Sequence, residues 1–162
     1  MRKMKNPFKA IFTAWLLAGT LDIIAAIINY LIYFRENLIG LFQFIAGGVF
    51  GIKAFSGGIL TALSGLIFHH FIAFSWTIFF FFVCPKVKIL SRNNYISGLV
   101  YGIFIWLIMN LVVLKLSNVP NISFSITHTV VGIVILMFCV GLPIFLIIGK
   151  YYTPEMMEQT KA

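Results

Sequence analysis

One acidic residue stands inside a long apolar stretch of this sequence, and it is the first candidate for chemistry. Asp22 lies near the middle of residues 10–34, where Ala18, Ala26 and Asn29 share its face at helical spacing. A stripe of small and polar side chains should face other helices rather than lipid. A carboxyl group in this setting could bind a proton or a cation, or it could be hydrogen-bonded between helices. The residues alone leave both interpretations open.

Two adjacent histidines, His69 and His70, lie near the middle of the second long apolar stretch. Neighbouring helical residues point about 100° apart, so the two rings cannot share one partner. Small residues at three- and four-residue steps place His69 on the face that packs against other helices. Its depth predicts that His69 pairs with Asp22, either as a proton relay or as a structural pair.

Other polar residues should lie at a common depth, nearer the outer surface of the membrane. Asn29 follows Asp22 in the first stretch, Asn110 lies near the end of the third, and His128 begins the fourth. We expect these side chains to face a polar pocket that opens outward, with Gln43 and Lys53 at its rim. Ordinary interhelical hydrogen bonds are the alternative. The predicted ligand or proton site consists of Asp22, His69, Asn29, Asn110 and His128.

The sequence lacks the usual patterns of catalysis and cofactor binding. No Ser-His-Asp or Cys-His set has suitable spacing, so we do not expect an enzyme. His69 is central in its stretch and His128 is peripheral, which suits the two axial ligands of one haem poorly. A zinc site needs about four ligands, and no H-E-x-x-H motif occurs. We therefore expect no haem, metal or other cofactor.

Composition places the chain in a membrane. Hydrophobic residues make up 61% of the 162 residues and charged residues only 10%, whereas a soluble domain is about 25% charged. This balance excludes a soluble enzyme and a disordered chain. Lys and Arg together number twelve against four Asp and Glu. They form no nucleic-acid-binding motif, so we expect no nucleic-acid partner.

Four segments are long enough to span a membrane, which takes about 20 apolar residues in a helix. They are residues 10–34, 57–83, 95–116 and 126–149 of a single domain, 1–150, which a polar tail, 151–162, follows. The apolar run 37–52 is short and contains three glycines, so we expect it to lie in the interface or to re-enter. The fold class predicted is an all-α integral membrane four-helix bundle with an external segment between helices 1 and 2.

The basic residues predict how the bundle is oriented. Four spans leave Arg35, Lys53 and Lys115 on one side and nine of the twelve basic residues on the other. Because basic residues concentrate on the cytoplasmic side, both termini should be cytoplasmic. The predicted location is the bacterial inner (plasma) membrane. A bundle of this size has little room for a solute pathway formed by one chain alone. We therefore expect the chain to form a homo-oligomer or to join a larger membrane complex. The lipid bilayer is its other predicted partner.

Several short stretches resemble one protein family. They are Ala18-Gly19-Thr20-Leu21-Asp22-Ile23, Gln43-Phe44-Ile45-Ala46-Gly47-Gly48, Ala54-Phe55-Ser56-Gly57-Gly58, Met109-Asn110 and Gly141-Leu142-Pro143. The chain resembles a family of small, uncharacterised bacterial inner-membrane proteins over most of its length. The resemblance implies four membrane helices and no established activity.

Three classes of function follow from these features. The first is a small transport or channel-like protein with a polar intramembrane site around Asp22 and His69. The second is a structural, accessory or assembly subunit of a larger membrane complex, since glycine-rich faces favour close helix packing. A haem-binding or lipid-handling membrane enzyme is the remoter alternative.

Overall fold

The computed structural model describes residues 6–33, 37–86, 94–119 and 125–152, and within these ranges every regular element is a helix. The elements are α1 (Pro7–Tyr33), α2 (Leu38–Phe50), α3 (Gly58–Val83), α4 (Asn94–Ile108), α5 (Leu114–Leu116), α6 (Ile126–Ile135) and α7 (Leu142–Tyr151). A 3-10 helix, Gly51–Ser56, joins α2 to α3, and another, Cys84–Lys86, extends α3. Arg35 and the tail residues 153–162 lie outside the described residues.

Five helical stretches are long and apolar enough to cross a membrane, one more than the sequence predicted. The additional stretch is Leu38–Ser56, although we expected residues 37–52 to be too short. The helical segment continues past Phe50 because Gly51 adopts a φ of 60°, which turns the chain into the 3-10 helix. The all-α membrane class is confirmed, while length and composition alone do not give the number of crossings.

Side-chain contacts show that α1 and α3 run in opposite directions. Trp15 packs against Phe74 with ring centroids 5.3 Å apart. Two turns later in α1, Asp22 lies 3.9 Å from His69, which is earlier in α3. The C-terminus of α1 and the N-terminus of α3 therefore share one end of the bundle, here called the distal end. The opposite end is called proximal.

The last long helices are also antiparallel. α4 continues into α5, and α6 into α7, through the π-helical segments Met109–Val113 and Leu136–Gly141. A Cβ at Gly132 would approach Trp106, and one at Gly98 would approach Leu142. His128, in the first turn of α6, packs its ring 5.1 Å from that of Tyr33 at the end of α1. α5 thus ends, and α6 begins, at the distal end.

α2 packs across the distal half of α3. A Cβ at Gly65 would overlap the backbone carbonyl of Phe42, so the two helices meet at backbone contact. Asn37 caps α2, its side-chain oxygen accepting from Ile39 N at 3.0 Å. At the other end of α2, the Asn118 side chain donates to the carbonyl of Val49 at 3.0 Å. Asn37 thus caps the start of α2, and Asn118 fixes its end to the segment that follows α5.

The tightly packed core lies in the proximal half. Its fully buried members include Ala10, Ala14, Phe80, Ile144, Phe145 and Ile148. A Cβ at Gly141 would overlap the carbonyl oxygen of Gly98, so α4 and the α6–α7 helix cross at backbone contact. Gly98 and Gly102 form a G-x-x-x-G pattern, which favours close helix packing.

A π-helical segment lies immediately before Pro143 in the last helix. A proline lacks an N–H and its ring clashes with the carbonyl four residues earlier, so the sequence predicts a kink there. The structure has the π-helical segment Leu136–Gly141 immediately before α7, with Pro143 in the first turn of α7. Its wider turns relieve this clash, and such segments are common near functional sites.

Candidate functional site

A cavity of about 690 Å³ occupies the distal half of the bundle. It is here called the distal cavity, and four of the five predicted site residues line it: Asp22, Asn29, Asn110 and His128. The predicted helix faces explain this, because Asp22 and Asn29 lie two turns apart on α1. α2 and the following turn close one side with Gly40, Leu41, Phe44 and Phe55. Pockets for small molecules usually measure about 300–1,000 Å³.

A smaller cavity of about 180 Å³, here called the inner cavity, lies next to the distal cavity. Asp22 and Leu136 border both cavities, whereas His69 borders only the inner of the two. The inner cavity also touches Ile105 and Val140, which belong to the proximal core. The Asp22 carboxyl group therefore stands where a partly polar cavity meets an apolar one.

His69 is the partner predicted for Asp22, and the structure brings the two together. His69 Nε2 lies 3.9 Å from Asp22 Oδ2 and 3.0 Å from the carbonyl oxygen of Gly19. A carbonyl oxygen only accepts hydrogen bonds, so this geometry assigns the hydrogen to Nε2. A separation of 3.9 Å exceeds that of a hydrogen bond. His69 is therefore held by Gly19, and the Asp22 carboxyl group keeps its hydrogen-bonding capacity.

Other polar groups on the wall of the distal cavity also have capacity to bind a ligand. Within the described residues, no hydrogen bond reaches the side-chain amide of Asn29 or the indole N–H of Trp106. Asn110 differs, because its Nδ2 donates to the carbonyl of Trp106 at 2.9 Å. Polar groups within a membrane bundle are costly unless they are paired. These unpaired groups point to a ligand or to water in the distal cavity.

Gln43 and Lys53, predicted at the rim, are not among the described residues that line either cavity. Gln43 is buried, and its Nε2 donates to the carbonyl of Gly58 at 3.0 Å. A second contact, with Thr61 Oγ1, is 3.4 Å long. Lys53 is exposed on the 3-10 helix. Gln43 thus attaches α2 to the start of α3, and the segment reaches the cavity through other side chains.

The aromatic wall of the distal cavity was not predicted as a unit. The rings of Tyr30, Phe44, Phe55 and Trp106 line it. Trp106 lies about one turn before Asn110, so the two residues share a helix face. Tyr30, Phe44 and Phe55 carry no comparable signal, because aromatic residues make up 17% of the chain and are common in all its apolar stretches.

The histidines and cysteines do not gather into a metal site within the part of the chain that the structure describes. There, no three His, Cys, Asp or Glu side chains lie close enough to hold a metal ion. His69 borders the inner cavity and His128 the distal cavity. Cys84 and Cys139 are both free thiols.

Comparison with protein-family models, with curated proteins and with solved structures gave no match. The resemblance of the short motifs to small inner-membrane proteins therefore has no family model behind it. What the chain does must be argued from the geometry of the two cavities.

Proposed function

We propose that this chain is a small membrane carrier whose solute site is the distal cavity and whose essential group is the Asp22 carboxyl. The observation that carries the proposal is the position of Asp22 between the two cavities, without a hydrogen bond from the described residues. Intramembrane acids without a close partner are characteristic of proton and ion pathways. His69 borders the inner cavity beside Asp22 and acts as the second group of a proton relay.

A carrier fits the packing better than an open channel. Below the inner cavity the helices are tightly packed, and the rings of Phe80 and Phe145 lie 5.5 Å apart at the centre of this seal. Solute that reaches Asp22 from the distal end can continue only if the proximal half opens. Met109 and Leu136, which begin the two π-helical segments, border the inner cavity. We place the hinge of this movement at those segments.

We further propose that the chain crosses the membrane four times. The opposite directions of α1 and α3 support this topology, because the segment between them must then begin and end on the same side. α2 and the 3-10 helix would enter the outer leaflet and return. Both termini would be cytoplasmic in a bacterial inner membrane, since Lys9, Lys86 and Lys150 would lie on one side.

Proton flux into vesicles tests the carrier proposal. The purified chain is reconstituted into liposomes loaded with the pH-sensitive dye pyranine, and valinomycin with a K⁺ gradient sets an inside-negative potential. We expect proton uptake well above that of protein-free liposomes. Asp22→Asn should reduce the rate at least tenfold, to the protein-free level, and His69→Ala should slow it as well.

A matched control is Ser75→Ala. Ser75 is exposed on α3 and borders neither cavity, and within the described residues its hydroxyl bonds only to the carbonyl of Phe71 in its own helix. This variant should retain the rate of the unaltered protein. Unchanged flux in Asp22→Asn, or no flux above protein-free liposomes in the unaltered protein, would refute the proposal.

A further inference from the structure

We infer that the distal cavity binds a monovalent organic cation with aromatic or bulky apolar substituents, which pairs with the Asp22 carboxylate among aromatic rings. The inference rests on the site of the proposed carrier and names the chemical class of its ligand. It concerns binding, and its test does not depend on transport.

Charge excludes most other ligand classes. Asp22 is the only Asp or Glu among the described residues that line the distal cavity, and none of them is Lys or Arg. The chain as a whole has a formal net charge of +8, so the acidic lining of this cavity is opposite in charge to the molecule as a whole. An anion would meet a carboxylate and no fixed cation there. A cation supplies the countercharge that an ionised Asp22 needs in a medium of low dielectric constant.

The walls indicate that the cation is organic. Tyr30, Phe44, Phe55 and Trp106 contribute four aromatic rings, each from a different element. Aromatic faces attract organic cations, and such rings are the usual binding group for quaternary ammonium ions. A bare Ca²⁺ or Mg²⁺ ion instead requires about six or more oxygen ligands at short distances. The described lining offers one carboxyl group, the amides of Asn29 and Asn110, and the Tyr30 hydroxyl.

The size of the cavity agrees with this ligand class. At about 690 Å³ the distal cavity lies well inside the usual range for small-molecule sites. It greatly exceeds what an inorganic monovalent ion would fill. The Asn29 amide and the Trp106 indole N–H, which make no hydrogen bond within the described residues, remain for polar substituents of the ligand.

Equilibrium dialysis with radiolabelled tetraphenylphosphonium, against the detergent-solubilised full chain, tests the inference. We expect saturable binding, which Asp22→Asn weakens about 30-fold or more because it removes the countercharge. Asp22→Glu should retain binding. Trp106→Leu should weaken it about 2- to 30-fold, the range that cation–π contacts span. Neutral triphenylphosphine oxide should not compete.

Tryptophan fluorescence locates the site. The chain has three tryptophans, and replacing Trp15 and Trp76 by phenylalanine leaves Trp106 as the only fluorophore. Tetraphenylphosphonium should change its emission. Trp15→Phe alone is the matched aromatic control, because Trp15 borders neither cavity, and it should bind like the unaltered protein.

The outcomes separate this inference from the carrier proposal. Proton flux that depends on Asp22, without saturable tetraphenylphosphonium binding, would overturn the ligand class and leave the carrier. Binding that depends on Asp22, without flux, would support the ligand class and overturn the carrier. Equal binding by Asp22→Asn and the unaltered protein, or equal competition by triphenylphosphine oxide, would overturn the inference.

Discussion

Asp22 and Gln43 are both polar residues in apolar helices, yet they differ in how their polar groups are satisfied. Gln43 is 7% exposed and its amide donates to the first turn of α3. Among the described residues no hydrogen bond reaches the Asp22 carboxyl group, and His69 Nε2 lies 3.9 Å from it. Rarity of charge in an apolar stretch identified Asp22 from the sequence. The role of Gln43 could not be predicted, because it depends on where Gly51 and Gly58 turn the chain.

At the scale of single residues, Gln43→Leu should destabilise the protein without affecting ligand binding. The change keeps the side-chain volume similar but removes the donor to the Gly58 carbonyl and to Thr61. We expect a loss of about 1–3 kcal/mol in the free energy of unfolding, measured by SDS titration in mixed micelles. Ser64→Ala, whose hydroxyl bonds only within α3, should change stability by less than about 0.5 kcal/mol. Loss of tetraphenylphosphonium binding with unchanged stability would place Gln43 at the site instead.

At the scale of elements, two kinds of helix contact shape the bundle. Small residues allow α4 and the α6–α7 helix to meet at Gly98, Gly102 and Gly141, and the G-x-x-x-G spacing made this crossing predictable. The π-helical segments were harder to predict from the sequence. Pro143 indicates one irregular turn, whereas Met109–Val113 contains no proline or glycine that would indicate another. The inner cavity beside these segments therefore could not be derived from the sequence.

Gly141→Ala should destabilise the helix crossing. Its Cβ would overlap backbone atoms of Gly98 and Gly102, which cannot move aside as a flexible side chain can. Overpacking of this kind costs about 1–3 kcal/mol or more. A thiol-reactive fluorogenic dye measures the effect, because Cys84 is 2% exposed and becomes reactive on thermal unfolding.

Gly149→Ala is the matched control for this experiment. A Cβ there would meet only the Phe145 ring, at 3.4 Å or more, within the same helix. Alanine also favours the helix by up to about 1 kcal/mol. This variant should melt at or above the temperature of the unaltered protein. If Gly141→Ala melted at the same temperature as the unaltered protein, the backbone contact at Gly141 would be contradicted.

At the scale of the whole molecule, composition alone predicted a helical membrane protein, but the role of residues 37–56 needed the structure. The helical stretch Leu38–Ser56 is long and apolar enough to be a fifth candidate membrane span. The antiparallel contacts of α1 with α3 support our proposal that the segment between them begins and ends on one side of the membrane. The sequence predicted that Asp22 pairs with His69, but it did not predict the contacts that Trp15 and Gly19 make with α3.

Cysteine labelling of intact cells tests this topology. In a background with Cys84 and Cys139 replaced by alanine, Lys53→Cys should react with a membrane-impermeant maleimide from outside. Lys9→Cys and Lys86→Cys should react only after permeabilisation, because four crossings place both on the cytoplasmic side. If α2 crossed the membrane fully, Lys9→Cys and Lys86→Cys would label from opposite sides.

We expect the Asp22 carboxyl group to be available for reaction in a cavity within the membrane, because no hydrogen bond from the described residues reaches it. The hydrophobic reagent dicyclohexylcarbodiimide tests this expectation most directly, because it modifies protonated carboxyl groups within bilayers. The chain has only four Asp and Glu residues, and peptide mass spectrometry distinguishes Asp22 from the other three. We predict one adduct, at Asp22, which is absent from Asp22→Asn and slowed by tetraphenylphosphonium. An unmodified Asp22 in the membrane-embedded protein would show that its carboxyl group is not available in this cavity.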